Sequence, residues 1–225
     1  MKLGDKVPDF LADSTAGEIR FYDWIGQDWC LLFSHPKDFT PICTTELGSM
    51  ARYHADFTER GVKVIGLGTD SVEDHIRWSG DIEETQGARP RYPIIADTDL
   101  QVAKLYDMIP ASAEFDLESR TAQDLFTIRS TFLISPDKRL QMAMTYPMTA
   151  GRNFEEVLRI VDAILLTARH DVGTPAGWQP GEPVTKEEPQ CIAGRQGKWP
   201  IGRQGYDRGQ VHFRHSPQRT QRSTL

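Results

Sequence analysis

The feature that most constrains this chain is the junction at residues 29–61. An apolar run, WCLLFSH (29–35), leads through PKDF into Thr40-Pro41 and then ICTTELGSMARYHADFTERG. The run is long enough for a buried strand and too short for a helix. Thr is favoured as a helix N-cap, and Pro at the first helical position, where its missing N–H would be unpaired anyway. The helix is therefore expected to start at Pro41 and to close on Gly61. A second run, VKVIGLGT (62–69), is rich in β-branched residues and reads as another buried strand. Strands separated by a helix of this length predict an α/β sheet with at least one parallel crossover.

Further along, Ser71 followed by Asp74 is a helix start of capping-box type, and Asn153 with Glu156 is another. In NFEEVLRIVDAILLTAR (153–169), Phe154, Val157, Leu158, Val161, Ile164 and Leu165 recur on one helical face. STFLISPDKRLQMAMTY (130–146) differs: two strand-like runs flank Ser-Pro-Asp-Lys, which predicts a hairpin within a mixed sheet. After about residue 172, GTPAGWQPGEPVTKEEPQ carries four prolines and three glycines without periodicity, the pattern of an arm rather than a second core. The expected organisation is one α/β domain over 1–169, an arm over 170–190 and a separate tail over 191–225.

That tail holds seven Lys/Arg against one Asp, so a net charge of −6 for 225 residues divides into an acidic body at −12 and a basic end. The tail is expected to be a flexible, partly disordered, solvated segment. No apolar stretch is long enough for a membrane span, and MKLGDKVPDF lacks the apolar centre of a secretory signal. Three widely spaced cysteines, Cys30, Cys43 and Cys191, suggest neither a disulfide framework nor a zinc knuckle. A cytoplasmic location is expected.

Cys43 falls at the third helical position after Thr40-Pro41. There, unpaired backbone N–H groups and the positive end of the helix dipole favour an anion, a setting associated with reactive thiolates. The competing reading is a small buried apolar residue, the usual fate of a free cysteine. Pattern alone leaves both open. Cys30, inside an apolar run with no cap and no nearby cation, reads as core. His35 is open to two readings as well, a base or cation beside the thiol or a ring satisfied by hydrogen bonds. Arg129 and Arg152 by themselves read as surface charges.

The block HPKDFTPICTTELG contains Pro-x-x-x-Thr-x-x-Cys as Pro36, Thr40 and Cys43, and it resembles the active-site loop of the peroxiredoxins, more narrowly their one-cysteine, peroxiredoxin-six subfamily. GTDSVEDHIRWSGDI, YPIIAD, FTIRSTFLISPDKRL and YPMTAGRNFEEVLRIVDAILLTA resemble that subfamily in order and spacing, and the likeness runs from about residue 3 to about residue 184. The resemblance implies a thioredoxin-like fold, a mixed sheet flanked by helices, with a C-terminal arm packing across a homodimer or higher homo-oligomer. It implies a thiol-dependent peroxidase that reduces hydrogen peroxide and organic hydroperoxides through a cysteine sulfenic acid, regenerated by an external thiol, with no cofactor, no metal and no nucleic-acid or membrane partner. Carried over by position, Cys43 is the peroxidatic nucleophile, Thr40 orients peroxide and thiolate, Pro36 shields the pocket and Arg129 is the active-site arginine. His35 and Arg152 become substrate-pocket residues. Cys191 is the candidate resolving cysteine, although its context favours a one-cysteine cycle. The alternative function is a redox-regulated interaction protein in which Cys43 oxidation controls assembly. A thioredoxin-type disulfide oxidoreductase is disfavoured, since the chain has no Cys-x-x-Cys.

Two departures from the family pattern stand out. Some animal members carry a lipase-like Gly-x-Ser-x-Gly site with a nearby His. Here Asp28 replaces that serine and Tyr22 that histidine, so of the triad only Asp137 remains and such an activity is rejected. The basic tail also lacks likeness to the end of the family's arm.

Overall fold

The computed structural model describes residues 1–110 and 126–185. Cys191 and the tail lie outside them. The described residues form two units, one of Met1–Leu158 and one beginning at Arg159.

The first unit is built on a seven-stranded mixed sheet of order β2-β1-β5-β4-β3-β6-β7. Its strands are β1 (Leu11–Ser14), β2 (Gly17–Arg20), β3 (Trp29–Ser34), β4 (Val62–Gly68), β5 (Ile94–Ala96), β6 (Arg129–Ile134) and β7 (Leu140–Tyr146). Helices α1 (Phe21–Ile25), α2 (Pro41–Glu59), α3 (Val72–Gln86), α4 (Gln101–Leu105) and α5 (Phe154–Arg169) connect or follow them. The expected parallel crossover is β3–α2–β4, with Leu32 opposite Ile65. The expected hairpin is β6–β7, antiparallel, its register shifting between Leu133 and Ile134.

Three helix starts follow the sequence signals. α2 opens at Pro41 and ends before Gly61, whose φ of 70° reverses the chain. Ser71 Oγ accepts the Asp74 N–H at 3.1 Å, capping α3. Asn153 Oδ1 accepts the N–H groups of Glu155 and Glu156 at the start of α5. The β1–β2 hairpin, α1 and α4 carry no such signal.

β3 is buried on both faces, as its continuous apolar run requires. Cys30 and Leu32 point into a core with Ile65, Leu67, Phe132, Ile134 and Tyr106. Phe33, of opposite parity, meets Tyr92 and Phe154 edge-on at 5.6 and 5.8 Å. In the second unit, Ala163, Leu166 and Trp178 form a small cluster of their own, and the Arg159 guanidinium donates to the Trp178 carbonyl at 3.0 Å.

Candidate active site

The loop from the end of β3 to the start of α2 carries His35, Pro36 and Thr40, and the first turn of α2 carries Cys43. Thr40 occupies the N-cap with extended backbone (φ −96°, ψ 146°), but its hydroxyl does not cap the helix. It donates to the Lys37 carbonyl at 2.9 Å, so no side chain closes off the first-turn N–H groups. The Cys43 side chain is fully buried. Phe39 has a left-handed backbone (φ 56°), a conformation costing about 1–3 kcal/mol outside glycine. The loop is held by Asp70, which accepts the Asp38 N–H at 2.9 Å and pairs with Lys37 at 2.6 Å.

Arg129, the first residue of β6, reaches the thiol: its Nη1 lies 3.3 Å from Cys43 Sγ. The guanidinium is fixed on two further sides. Nη1 donates to Glu46 Oε2 at 2.6 Å, and Nε and Nη2 donate to the Met148 carbonyl at 3.0 and 2.6 Å. Glu46, one helical turn beyond Cys43, was not singled out in the sequence. It is shared with Arg152, which donates to it from Nε, Nη2 and its backbone N–H at 2.7–2.9 Å. Arg152 also donates to the Ser130 carbonyl and stacks on the rings of Phe33 and Phe154. Burial works against ionisation of Glu46, but Arg152 foremost and then Arg129 outweigh it and hold its pKa below the ordinary value.

Counting charge shows what this cluster can do. Arg129, Glu46 and Arg152 are all buried, so two guanidinium ions share one carboxylate. Among the described residues one positive charge is left without a carboxylate, and Arg129 also meets the Cys43 sulfur. Buried charges demand counter-charges. An anionic sulfur, or negative charge developing on a peroxide oxygen beside it, completes the balance.

The structure thus brings Cys43, Arg129 and Arg152 together and places Thr40 three residues from the sulfur. Pro36 is buried in the same loop. His35 is held through one nitrogen: its Nε2 lies 2.6 Å from Asp38 Oδ1, while His75 Nδ1 lies 2.6 Å from Asp38 Oδ2. Among the described residues, His35, Asp38 and His75 are the group close enough to hold a metal ion. Both carboxylate oxygens are already taken by ring nitrogens, while His35 Nδ1 is buried and meets no polar partner among the described residues. The lipase-like remnants do other work. Asp28 pairs with Lys63 at 3.0 Å, the Tyr22 hydroxyl donates to the Val7 carbonyl, and Asp137 accepts from Ser135.

A mixed sheet of this order, with a thiol on the first turn of the helix after β3 and an arginine from β6 against it, is that of a thioredoxin-fold cysteine enzyme. The AhpC/TSA family model matches residues 3–143. The 1-Cys peroxiredoxin of Dictyostelium discoideum is 50% identical over 182 residues, covering 81% of this chain and 72% of its own. A mutant of the peroxiredoxin 6 of Arenicola marina superimposes with a TM-score of 0.74 at 45% identity, covering 82% of each chain. A yeast mitochondrial 1-Cys peroxiredoxin, whose thiol is resolved via glutathione and thioredoxin systems, gives a TM-score of 0.73 at 43% identity, covering 82% of this chain and 85% of its own. The chain belongs to the AhpC/TSA family and, within it, to the one-cysteine peroxiredoxins. It is a thiol-dependent peroxidase, and these relatives favour turnover over a purely redox-regulated interaction role.

Proposed function

We propose that Cys43 is the peroxidatic thiol and Arg129 its electrostatic partner. The sulfur attacks the outer oxygen of hydrogen peroxide or an organic hydroperoxide. An S–O bond forms as the O–O bond breaks, sulfur gives up two electrons, and the departing oxygen takes a proton and leaves as water or alcohol. Arg129 offers fixed donors to the charge as it moves from sulfur to oxygen, the arrangement that lowers such barriers most. Glu46 and Arg152 hold Arg129 in place and set the charge balance around it. Thr40 orients the peroxide, Pro36 closes the pocket over it, and His35 contributes a polar wall.

The Cys43 sulfenic acid then condenses with an external thiol, releasing water and forming a mixed disulfide. A second thiol exchanges with that disulfide and returns Cys43. The glutathione and thioredoxin systems of the yeast relative suggest such thiols as reductants. We read the chain as a homodimer, because β7 is an edge strand with no outer partner among the described residues, and such edges are completed by another chain or covered. A reducing compartment, read here as the cytoplasm, suits the free thiols Cys30 and Cys43. No helix among the described residues is long and apolar enough to cross a membrane.

The observation that carries the reading is the 3.3 Å contact between Arg129 Nη1 and Cys43 Sγ, in a cluster where, among the described residues, two guanidinium ions share one carboxylate. Peroxide consumption with excess dithiol tests it, and turnover that survives Cys43→Ser refutes it. Mass spectrometry after one equivalent of peroxide tests the reductive half. A trapped sulfenic acid on Cys43 is expected, and a Cys43–Cys191 disulfide would overturn the one-cysteine cycle.

A further inference from the structure

Thr40 stands at the N-cap of α2 with the extended backbone that position needs, yet its hydroxyl does not cap the helix. A threonine there ordinarily turns its oxygen toward a first-turn N–H. This one donates instead to the Lys37 carbonyl at 2.9 Å. A carbonyl can only accept, so the single hydroxyl hydrogen of Thr40 is committed to that bond and the lone pairs of Oγ1 stay open. What turns the hydroxyl away from its own helix is the direction in which the Lys37 carbonyl points.

That direction is set from the end of β4. The Lys37 C=O and the Asp38 N–H belong to one planar, trans peptide unit and therefore point to opposite sides of it. Asp70 accepts the Asp38 N–H on Oδ2 at 2.9 Å and pairs through Oδ1 with the Lys37 ammonium at 2.6 Å. One carboxylate thus grips the peptide by its N–H and the preceding residue by its side chain, while the carbonyl meets Thr40. Asp70 is buried, and it is followed directly by Ser71, whose hydroxyl caps α3. Phe39, between this peptide and Thr40, has φ 56°, a conformation that a residue other than glycine keeps only where its surroundings enforce it. The Thr40 main chain is fixed separately. Its carbonyl accepts the N–H and the hydroxyl of Thr44 at 2.9 and 2.8 Å, and Thr44 Oγ1 accepts the Trp78 Nε1–H at 3.2 Å. With the backbone held, the freedom that remains to Thr40 is rotation of its side chain, and the Lys37 carbonyl selects the rotamer.

We propose that Asp70 and Lys37 are positioning residues that fix the Lys37–Asp38 peptide so that Thr40 Oγ1 is kept as a pure acceptor for the hydroxyl hydrogen of a bound peroxide. The proposal rests on the reading of Cys43 as the peroxidatic thiol and of Thr40 as the residue that orients the peroxide. Released from this strap, the Thr40 hydroxyl is free to turn and cap α2, where its oxygen would accept from the first-turn N–H groups instead of from substrate. Orientation matters here because the O–O bond must lie in line with the attacking sulfur, and a misplacement of about 1 Å can cost about a hundredfold in rate.

Stopped-flow rates of Cys43 oxidation by hydrogen peroxide give the test. Lys37→Met takes the ammonium away from Asp70, and Asp70→Asn removes the charge and leaves one amide oxygen for two donors. Each is expected to slow oxidation about tenfold to a hundredfold. A wild-type rate in either variant, with native circular dichroism, overturns the strap. Two further readouts separate positioning from a loop that is merely loosened and from a cation acting on the sulfur directly. In a Thr40→Val background there is no hydroxyl left to aim, so adding Lys37→Met should cause no further loss, and a full additional loss overturns the proposal. The pH dependence of Cys43 alkylation by iodoacetamide reports ionisation of the thiol without calling on Thr40. Its midpoint is expected to be the same in wild type and Lys37→Met, and a raised midpoint that accounts for the lost rate overturns the proposal as well. Should Asp70→Asn not fold, the cycle of Lys37→Met with Thr40→Val decides. Peroxide turnover surviving Cys43→Ser sinks the peroxidase reading itself and a wild-type rate in Thr40→Val sinks the role of Thr40, whereas additive losses in the cycle sink only the strap.

Discussion

Cys30 and Cys43 lie thirteen residues apart, one on β3 and one on α2, and both are free and fully buried. Exposure therefore does not separate Cys30 from the thiol proposed here as the nucleophile. What separates them is company. Cys30 sits among Leu32, Ile65, Phe132 and Ile134, and burial pushes its pKa far up, with Lys63 and Lys138 only partly opposing it. Cys43 sits on a helix start that no side chain caps and touches a guanidinium. Negative charge on sulfur would meet only apolar side chains at the first position and a guanidinium and helix N–H groups at the second.

The largest effect that this contrast predicts is on rate. Cys43→Ser should lower peroxide turnover by several orders of magnitude, as loss of a nucleophile does, while Cys30→Ala should leave kcat/KM near the wild-type value. Loss of activity in a folded Cys30→Ala protein would break the comparison. Next in size is the cation. Arg129→Met should lower kcat/KM by about a hundredfold to a thousandfold, the range for removing one electrostatic donor from a site of this kind. Stopped-flow peroxide consumption reads both.

Glu46→Ala asks whether the charges around Cys43 act as a unit. It leaves two buried guanidinium ions without their carboxylate, so it should cost about 3–5 kcal/mol, read as a lowered denaturation midpoint. A cost near that of a surface substitution would show that the cluster is hydrated and that the charge count above does not hold.

The sequence reveals the parts of this site that follow from local rules. Thr40-Pro41, Ser71 and Asn153 announce helix starts because capping is decided within four residues, and the β6–β7 hairpin follows from the turn between its strands. The β1–β2 hairpin was illegible because β1 is only four residues long and its burial lacks a clean alternation. The five-residue α1 and α4 are too short for a helical period to appear. The contact between Cys43 and Arg129 spans 86 residues, so no local pattern shows it; only the resemblance to a known family put both residues in one site. Glu46 carries a local signal, a carboxylate one turn after Cys43 on the same helix, but nothing in that spacing names the two arginines it meets. Asp38 and His75 had none, since β4 must be in place before their rings and carboxylate can meet.

The acidic limb of stability sharpens the comparison from another side, because the Cys43 region depends on ionised carboxylates and the Cys30 region does not. The folded-state pKa of Asp38, about 2, lies below its ordinary value of 3.8. Its contribution is therefore fully present above the ordinary value and is lost as pH falls through about 2. The difference corresponds to about 2 kcal/mol, and Glu46 shifts in the same direction. An acid titration followed by circular dichroism should show wild type losing stability across this window and Asp38→Asn, already destabilised, losing less of it. Equal acid sensitivity of the two would remove Asp38 from the account.

The smallest effect concerns Cys30 itself. Cys30→Ser replaces a thiol by a hydroxyl of nearly the same shape, in a strand whose backbone groups already pair with Lys63 and Ile134 positions on either side. The new hydroxyl would be buried among apolar side chains, at about 1–3 kcal/mol if it finds no partner. Cys30→Ala removes the polar atom and leaves only a small void. Serine should therefore be the more destabilising of the two at this position in urea unfolding, with peroxide turnover per folded molecule unchanged in both. At position 43 the two substitutions are expected to be equivalent in turnover, because both remove the sulfur. Should Cys30→Ser prove as stable as Cys30→Ala, the strand interior would have to offer the hydroxyl a hydrogen-bond acceptor, and the division of the two cysteines by their polar company would need to be redrawn.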